Sequence, residues 1–366
     1  MSRKLISIST IMTLMSTSVM ADVPNVAADI APIHSLVSRV MDGVGEPKLV
    51  IQSGASPHGY RLRPSEAKAL QDANLIFWMG EELTPWLDGA IDTLASNASV
   101  TSLLDQEGVV LHEFREGALF EAHDHSAHDD HDDHDDHDDH DDHKDHDDHD
   151  DHDDHDDHKD HDDHDDHDDH DDHDDHDDHD DHDDHKDHDD HDDHGHGAHD
   201  PHAWLSPENA KLWLNIIASK LSVADPENAA SYFTNAAAGQ AEIEDMVAEV
   251  SATLKPVQGG KFVVFHDAYQ YFENDFDFYA SGAISLGDAS DPSPARIAEI
   301  QRRIQEEGIQ CVLAEPQYKK GLVATVMEGS NATASVIDPL GADIKPGPKL
   351  YTQLIKYMAK TLRDCL

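Results

Sequence analysis

Between His128 and His194 a histidine stands at every third position, and nearly every residue between these histidines is aspartate. This stretch has no apolar side chain to bury, so nothing offsets the conformational entropy that a chain loses when it becomes ordered. We therefore predict that residues 123–200, here called the insert, are disordered and that the remaining residues build the fold. Imidazole and carboxylate groups are ligands for zinc, copper and nickel. The insert, with its 27 histidines, is thus also predicted to bind many metal ions weakly.

The insert carries most of the charge of the chain. It contains 43 Asp and 3 Lys, a net charge of −40, so only −14 of the total of −54 belongs to the other 288 residues. Negative charge at this density repels phosphate and argues against a nucleic-acid-binding protein. The residues outside the insert have an ordinary globular composition and are numerous enough for two modest domains.

The amino terminus and the cysteines both point to an exported protein. Two basic residues precede an apolar stretch that ends near residue 14, and small residues follow up to Ala21, which is the pattern of a secretory signal peptide. The apolar stretch is too short for a permanent membrane anchor. We expect residues 1–21 to be removed, with no membrane span in the mature chain. An oxidising compartment would allow Cys311 and Cys365 to pair, with two unpaired core thiols as the alternative.

Outside the insert, short apolar segments typical of buried strands alternate with segments that have helical periodicity. The predicted strands are 23–28, 48–52, 75–78, 100–103, 262–265, 311–314 and 335–337. Strands that alternate with helices at this spacing indicate parallel sheets covered on both faces. We therefore predict an α/β protein with Rossmann-like lobes.

One long helix is predicted between the lobes. Its apolar series begins with Ala230, Phe233 and Ala237 and continues to Leu254, which corresponds to a helix of about 40 Å. The expected organisation is an amino-terminal lobe at 22–225, which contains the insert, a linking helix at 226–254 and a carboxyl-terminal lobe at 255–366. A metal site is expected in the cleft between the two lobes.

Five histidines lie outside the insert, and three of them share a setting. His58, His202 and His266 each lie in a loop or at a strand end, where the ligand sites of parallel sheets are found. Three neutral imidazoles with a water or a carboxylate form a four-coordinate site suited to Zn²⁺. For His34 and His112 we expect ordinary surface positions.

Several short segments together form the pattern of a known family. They are Gly54–His58 with Leu62–Ser65, Asp200–Trp204, Phe265–Tyr269 and Asp338–Leu340. Through them the chain resembles the periplasmic solute-binding proteins of metal-importing ABC transporters, over essentially the whole mature length. The resemblance implies two lobes bridged by a rigid helix, with the metal in the cleft. Zinc-binding members typically carry an acidic, His-rich loop in the first lobe.

The resemblance also implies a set of ligands and a disulfide. The three histidine ligands of the family fall on His58, His202 and His266, and the disulfide corresponds to Cys311 and Cys365. Manganese-type members have a carboxylate at the third position, so a histidine there favours zinc. Some zinc members have a Glu where this chain has Pro57, which leaves water as the first choice for the fourth ligand. The second choice is Asp338, which could equally cap a turn.

The function implied is capture and delivery without covalent chemistry. A monomer in the periplasm would bind Zn²⁺ as its transported ligand and dock on a membrane permease, whose cytoplasmic ATPase partner hydrolyses ATP. No catalytic cofactor is expected. Zinc needs deprotonated imidazoles, so its affinity is expected to fall as the pH drops through about 6.5.

The sequence is also compatible with other functions. The protein could store or buffer metal through the insert alone, or it could be a manganese-selective member of the same family. A zinc hydrolase is also conceivable, with Glu315 or Asp267 near the cleft, although the chain has no HExxH or GxSxG motif. The insert itself could collect zinc for the cleft, sense abundant zinc, or be a tolerated repeat expansion.

Overall fold

The computed structural model describes residues 23–115, 199–285, 292–318 and 320–366. The predicted signal peptide, and the insert except for its last two residues, lie outside this part of the chain. Within the described residues, no helix combines the length and the apolar character needed to cross a membrane.

The first lobe is built on a four-stranded parallel sheet with strand order β2-β1-β3-β4. Its elements are β1 (Val26–Ala28), α1 (Ala31–Val40), β2 (Lys48–Leu49), α2 (Pro64–Gln71), β3 (Leu75–Trp78), α3 (Pro85–Leu94) and β4 (Ser99–Ser102). Every residue of β3 is apolar and buried, as expected for a strand covered on both faces. Helices α2 and α3 begin at prolines, whose fixed φ suits the first helical position.

Two helices follow the insert. Helix α4 spans Pro207–Ala224, and the Ser206 hydroxyl caps it by accepting a hydrogen bond from the backbone N–H of Asn209 at 3.3 Å. A 3₁₀ turn at Pro226–Asn228 then leads into the long helix α5, Ala229–Leu254. The long helix predicted from sequence is therefore present, and its first three residues form the 3₁₀ turn.

The second lobe repeats the topology of the first, with strand order β6-β5-β7-β8 and all pairs parallel. Its elements are β5 (Phe262–His266), α6 (Gln270–Phe276), β6 (Ala283–Ser285), α7 (Pro294–Glu306), β7 (Cys311–Ala314), α8 (Lys320–Val326), β8 (Thr333–Val336) and α9 (Leu350–Cys365). A disulfide between Cys311 and Cys365 joins the start of β7 to the end of α9. The α/β fold with two parallel sheets, expected from the alternating pattern, is confirmed.

Helix α5 packs against α1 and α4, which precede it in the chain, and against α9, which follows it. Its buried face begins with Tyr232, Ala236 and Gly239. The predicted face, which included Phe233, is wrong in this first part, because Phe233 is 49% exposed. Gly239 is buried because the neighbouring helices come very close: a Cβ there would lie 3.0 Å from Cδ1 of Leu214.

Candidate metal centre

The three predicted histidines come together at the carboxyl ends of the strands. His58 lies in the loop that follows β2 and is half-buried, and His266 is the last residue of β5. His202 directly precedes a 3₁₀ turn at Ala203–Leu205. His202 and His266 are only 1% and 4% exposed. One ligand atom from each of the three histidines lies within 4.8 Å of the other two, and this is the metal-competent group found among the described residues.

The distances between the imidazoles match a single shared ion. The Nε2 atoms of His202 and His266 are 3.4 Å apart. Two nitrogens that bind one tetrahedral Zn²⁺ at about 2.0–2.1 Å lie about 3.3–3.4 Å from each other. The ring centre of His58 lies 5.6 Å from that of His202 and 6.5 Å from that of His266. The three rings therefore surround one point of the cleft.

Asp200 orients the imidazole of His202. Its Oδ1 atom lies 2.7 Å from Nδ1 of His202 and also accepts the backbone N–H of His202 at 2.9 Å. A carboxylate only accepts hydrogen bonds, so Nδ1 carries the ring proton and Nε2 keeps its lone pair for a metal. Because Asp200 and His202 are only two residues apart in the chain, the carboxylate can hold both the backbone and the ring of the ligand residue.

Glu315 does the same for His266. Its Oε1 atom lies 2.6 Å from Nδ1 of His266, and both side chains are buried. The contact follows from the sheet register, since β5 pairs with β7 and Val264 stands opposite Leu313. Two residues further along, His266 and Glu315 leave the sheet side by side. A buried carboxylate bonded in this way orients a ligand and is not available as the general base of a hydrolase.

The indole of Trp86 holds the loop that carries His58. The Nε1–H of Trp86 donates to the carbonyl of Pro57 at 2.7 Å, and the Tyr60 ring lies 6.0 Å from the Trp86 ring. Tyr60 in turn donates to Glu66 at 2.8 Å at the start of α2. Pro57 therefore contributes its carbonyl to the support of the loop, while its side chain has no atom that could bind a metal.

Asp338 is engaged in a turn. Its Oδ1 atom accepts the backbone N–H of Leu340 at 2.9 Å and the side chain of Gln317 at 3.2 Å, and Oδ2 accepts the N–H of Ala342. Asp338 is also absent from the metal-competent group of the described residues. The turn-capping role considered for Asp338 is therefore the one that the structure places on it.

The two remaining histidines of the fold lie apart from this group. The surface position expected for His34 is wrong: it is 8% exposed, and its Nε2 lies 3.1 Å from the carbonyl oxygen of Pro47. Burial lowers the pKa of His34, although the hydrogen bond to the carbonyl of Pro47 opposes that shift. His112 is half-buried, with its ring centre 4.6 Å from that of Tyr271.

Comparison with known proteins agrees with this geometry. Residues 26–365 match the family model described as the zinc-uptake complex component A, periplasmic. The chain belongs to the ZnuA family. The members of this family are solute-binding components of uptake systems, so the chain is not an enzyme, and zinc is a transported ligand and not a catalytic cofactor.

Relatives and solved structures extend the match over nearly the full length. The chain is 45% identical over 341 residues to the high-affinity zinc uptake system protein ZnuA of Brucella abortus (strain 2308), covering 93% of this chain and 91% of that one. It is 42% identical over 347 residues to the protein of the same name from Paracoccus denitrificans, with 94% and 93% covered. A crystal structure of ZnuA superposes with a TM-score of 0.64 at 19% identity, covering 94% of this chain and 99% of that one. That superposition supports the fold.

Proposed function

We propose that this ZnuA-family protein captures Zn²⁺ with His58, His202 and His266 and delivers it to the membrane permease of an ABC importer. The observation that carries the proposal is the convergence of three histidines from distant parts of the chain, with ligand atoms within 4.8 Å. A water molecule completes the four-coordinate shell, as in other zinc sites with three protein ligands.

The chemistry of the donors supports zinc over manganese. Manganese prefers oxygen ligands, whereas imidazole suits zinc. The carboxylates near the site already have partners: Asp200 and Glu315 bind the Nδ1 atoms of two histidines, and Asp338 accepts backbone N–H groups. Three imidazoles therefore form the protein part of the shell.

We further propose that the protein works in the periplasm as a monomer after removal of residues 1–21. The family model is that of a periplasmic component. In this proposal residues 226–254 link an amino-terminal lobe at 22–225 to a carboxyl-terminal lobe at 255–366. The packing of α5 against helices from both halves of the chain supports a link that bends little.

The insert is proposed to collect zinc for the cleft when zinc is scarce. Its 27 imidazoles are the donors that zinc prefers, and its end at His199–Asp200 leads directly to His202. A variant that lacks residues 124–194 keeps both ends of the insert and tests this role. We expect slower growth of cells that carry this variant under zinc limitation, and normal growth in zinc-rich medium. Equal growth in both media would leave the insert as a tolerated expansion.

Calorimetric zinc titration tests the cleft site. The mature protein is compared with the variant lacking residues 124–194 and with a His58→Ala, His202→Ala, His266→Ala triple variant of each. One tight site is expected to survive removal of the insert and to disappear in the triple variant. His34→Ala serves as the matched control, because it removes a histidine of the same fold that lies outside the three-histidine group and contacts the carbonyl of Pro47 instead.

The storage function predicts a different titration. If the protein buffered metal through the insert, tight binding would disappear with residues 124–194 and would be indifferent to the three alanine substitutions. Titration with Mn²⁺ tests the remaining alternative. A manganese-selective site would bind Mn²⁺ tightly as well as Zn²⁺, whereas a zinc site of three imidazoles is expected to bind Mn²⁺ far more weakly than Zn²⁺.

A further inference from the structure

The residues where the insert joins the fold form a small structure of their own. Glu113 and His199 pair in an antiparallel β-bridge, and the backbone N–H of Asp200 donates to the carbonyl of His112 at 2.8 Å. Residues 112–115 and 199–200 are called the base of the insert below. The Tyr271 hydroxyl, on α6, donates to the carbonyl of Asp200 at 2.7 Å. The base is therefore fixed to the helix that follows His266.

Arg115 connects this base to the residue next to a proposed zinc ligand. Its Nε atom donates to both carboxylate oxygens of Asp267 at 3.0 Å, and its Nη2 atom donates to Asp267 Oδ1 as well. Its Nη1 atom donates to Glu273 on α6 at 2.6 Å. Asp267 directly follows His266 in the chain. One guanidinium therefore holds both ends of the loop between β5 and α6.

These three charged side chains are largely shielded from water. The side chains of Arg115, Asp267 and Glu273 are 12%, 7% and 1% exposed. Burial raises the pKa of Asp267, and it raises the pKa of Glu273 to about 6. Burial alone would lower the pKa of Arg115, but the charges of Glu273 and Asp267 outweigh it and raise that pKa. A buried cluster of this kind adds little stability over apolar packing, whereas its bidentate geometry fixes positions closely.

We propose that Arg115 is a positioning residue for the zinc site: by clamping Asp267 and Glu273 it fixes the loop that presents His266. The base then supports two of the three histidines at once, because its second segment contains Asp200, which orients His202. This inference rests on the proposed function of the cleft and adds to it a residue outside the three-histidine group.

A methionine at position 115 tests the inference. It has a comparable length but neither the charge nor the planar fork, so the loop that bears His266 would lose its clamp. We expect Arg115→Met to release zinc about 10–100 times faster than the parent, the range found for residues that support metal ligands. Arg115→Lys, which restores the charge without the fork, is expected to recover only part of the loss.

The measurement uses the full mature chain loaded with one equivalent of zinc, and it follows zinc release into excess chelator. One equivalent of Co²⁺ gives a second reading, because its absorption spectrum reports the coordination geometry and not the stability of the fold. Arg39→Met is the matched control. Arg39 is 14% exposed, against 12% for Arg115, and it also binds a carboxylate, that of Glu242, through two nitrogens.

The inference predicts a changed release rate and a changed Co²⁺ spectrum in Arg115→Met, and parental values in Arg39→Met. Parental values in both variants would overturn it. If Arg115→Met fails to fold, Asp267→Asn takes its place, with faster release expected and parental release as the contrary result. The proposed function fails separately, if the His58, His202, His266 triple variant keeps the tight site. The role of Arg115 fails alone if the triple variant loses the site and Arg115→Met keeps it unchanged.

Discussion

The Oε1 atom of Glu315 lies 2.6 Å from Nδ1 of His266, and this bond decides which ring nitrogen of His266 faces the cleft. Replacing Glu315 by Leu removes the acceptor, so the buried ring N–H of His266 loses this hydrogen bond. We expect Glu315→Leu to weaken zinc binding about 10–100-fold. Glu315→Gln keeps an acceptor oxygen and is expected to lose less. Competition titration with a zinc chelator measures both variants.

The comparison of the two variants shows what Glu315 contributes. If Glu315→Gln weakens zinc binding as much as Glu315→Leu does, the negative charge of Glu315 matters more than the orientation of the ring. Parental affinity in both variants would contradict a role for Glu315 at the site.

Asp29 gives the stability of the zinc-free protein a pH dependence. Its buried carboxylate accepts the backbone N–H groups of Ile30 at 2.7 Å and Met79 at 2.8 Å, and burial raises its pKa to about 7 despite these bonds. A raised pKa means that the folded protein holds the proton more tightly than the unfolded chain does. The stabilising contribution is therefore complete below about pH 4 and is lost as the pH rises through about 7, a change of about 4 kcal/mol.

Urea unfolding in the presence of a chelator, at intervals between pH 4 and 8, tests this expectation. Asp29→Asn cannot ionise, so its free energy of unfolding should change less over this range than that of the parent. Asp42→Asn, at an exposed position, is the control and should follow the parent. The same pH dependence in Asp29→Asn as in the parent would rule out Asp29 as the source.

The disulfide is expected to stabilise the fold without affecting zinc. It closes a loop of 54 residues, for which the chain-entropy model predicts about 4 kcal/mol. Cys311 lies at the start of β7, whereas Glu315 follows the opposite end of that strand. The Cys311→Ser, Cys365→Ser double variant should therefore unfold at lower urea concentration but bind zinc with parental affinity at 20 °C or below. Lost affinity in the folded double variant would be the contrary finding.

Trp204 is expected to report zinc binding by fluorescence. Its ring centre lies 5.2 Å from that of His202, it is 1% exposed, and its Nε1–H donates to the carbonyl of Pro339 at 2.9 Å. A divalent ion on His202 changes the electric field at this indole. Zinc should thus change the emission of the parent, and Trp204→Phe should lose most of that change. Trp213→Phe is the control, because Trp213 is equally buried and donates to Leu103 instead.

The strands with continuous apolar runs were the most predictable part of the fold. Strands β3 and β7 match the predicted 75–78 and 311–314, because runs such as Leu-Ile-Phe-Trp leave no amphipathic alternative. The first strand is shorter than predicted, beginning at Val26. Strand β6 was not predicted, since Ala283–Ser285 is too short to show a pattern. In α5, the many alanines give several faces of the helix a similar apolar character, so the sequence did not indicate which face is buried. The face with Gly239 is buried because the neighbouring helices approach closely there.

The residues of the site also differ in how far the sequence could predict them. His58, His202 and His266 could be proposed from their loops, because parallel sheets place ligands at the carboxyl ends of strands. The partnership of His266 with Glu315 required the order of the strands, which a single sequence does not contain. Glu315 was named from the sequence only as a possible hydrolase residue, although its position directly after a predicted strand also suits a residue that orients a ligand. Arg115 lies 152 residues from Asp267, and nothing in its surroundings along the chain signals the pair.

The bridge between Glu113 and His199 joins a residue that precedes a long insertion to a residue at its far end. Adding or removing His-Asp-Asp units between the two bridged residues changes neither bridged segment nor the residues that these segments hold. Tandem repeats of this kind gain and lose units readily during DNA replication. Natural selection can therefore change the number of units in the insert without changing the cleft. Closely related chains can then differ widely in length while they share one binding site.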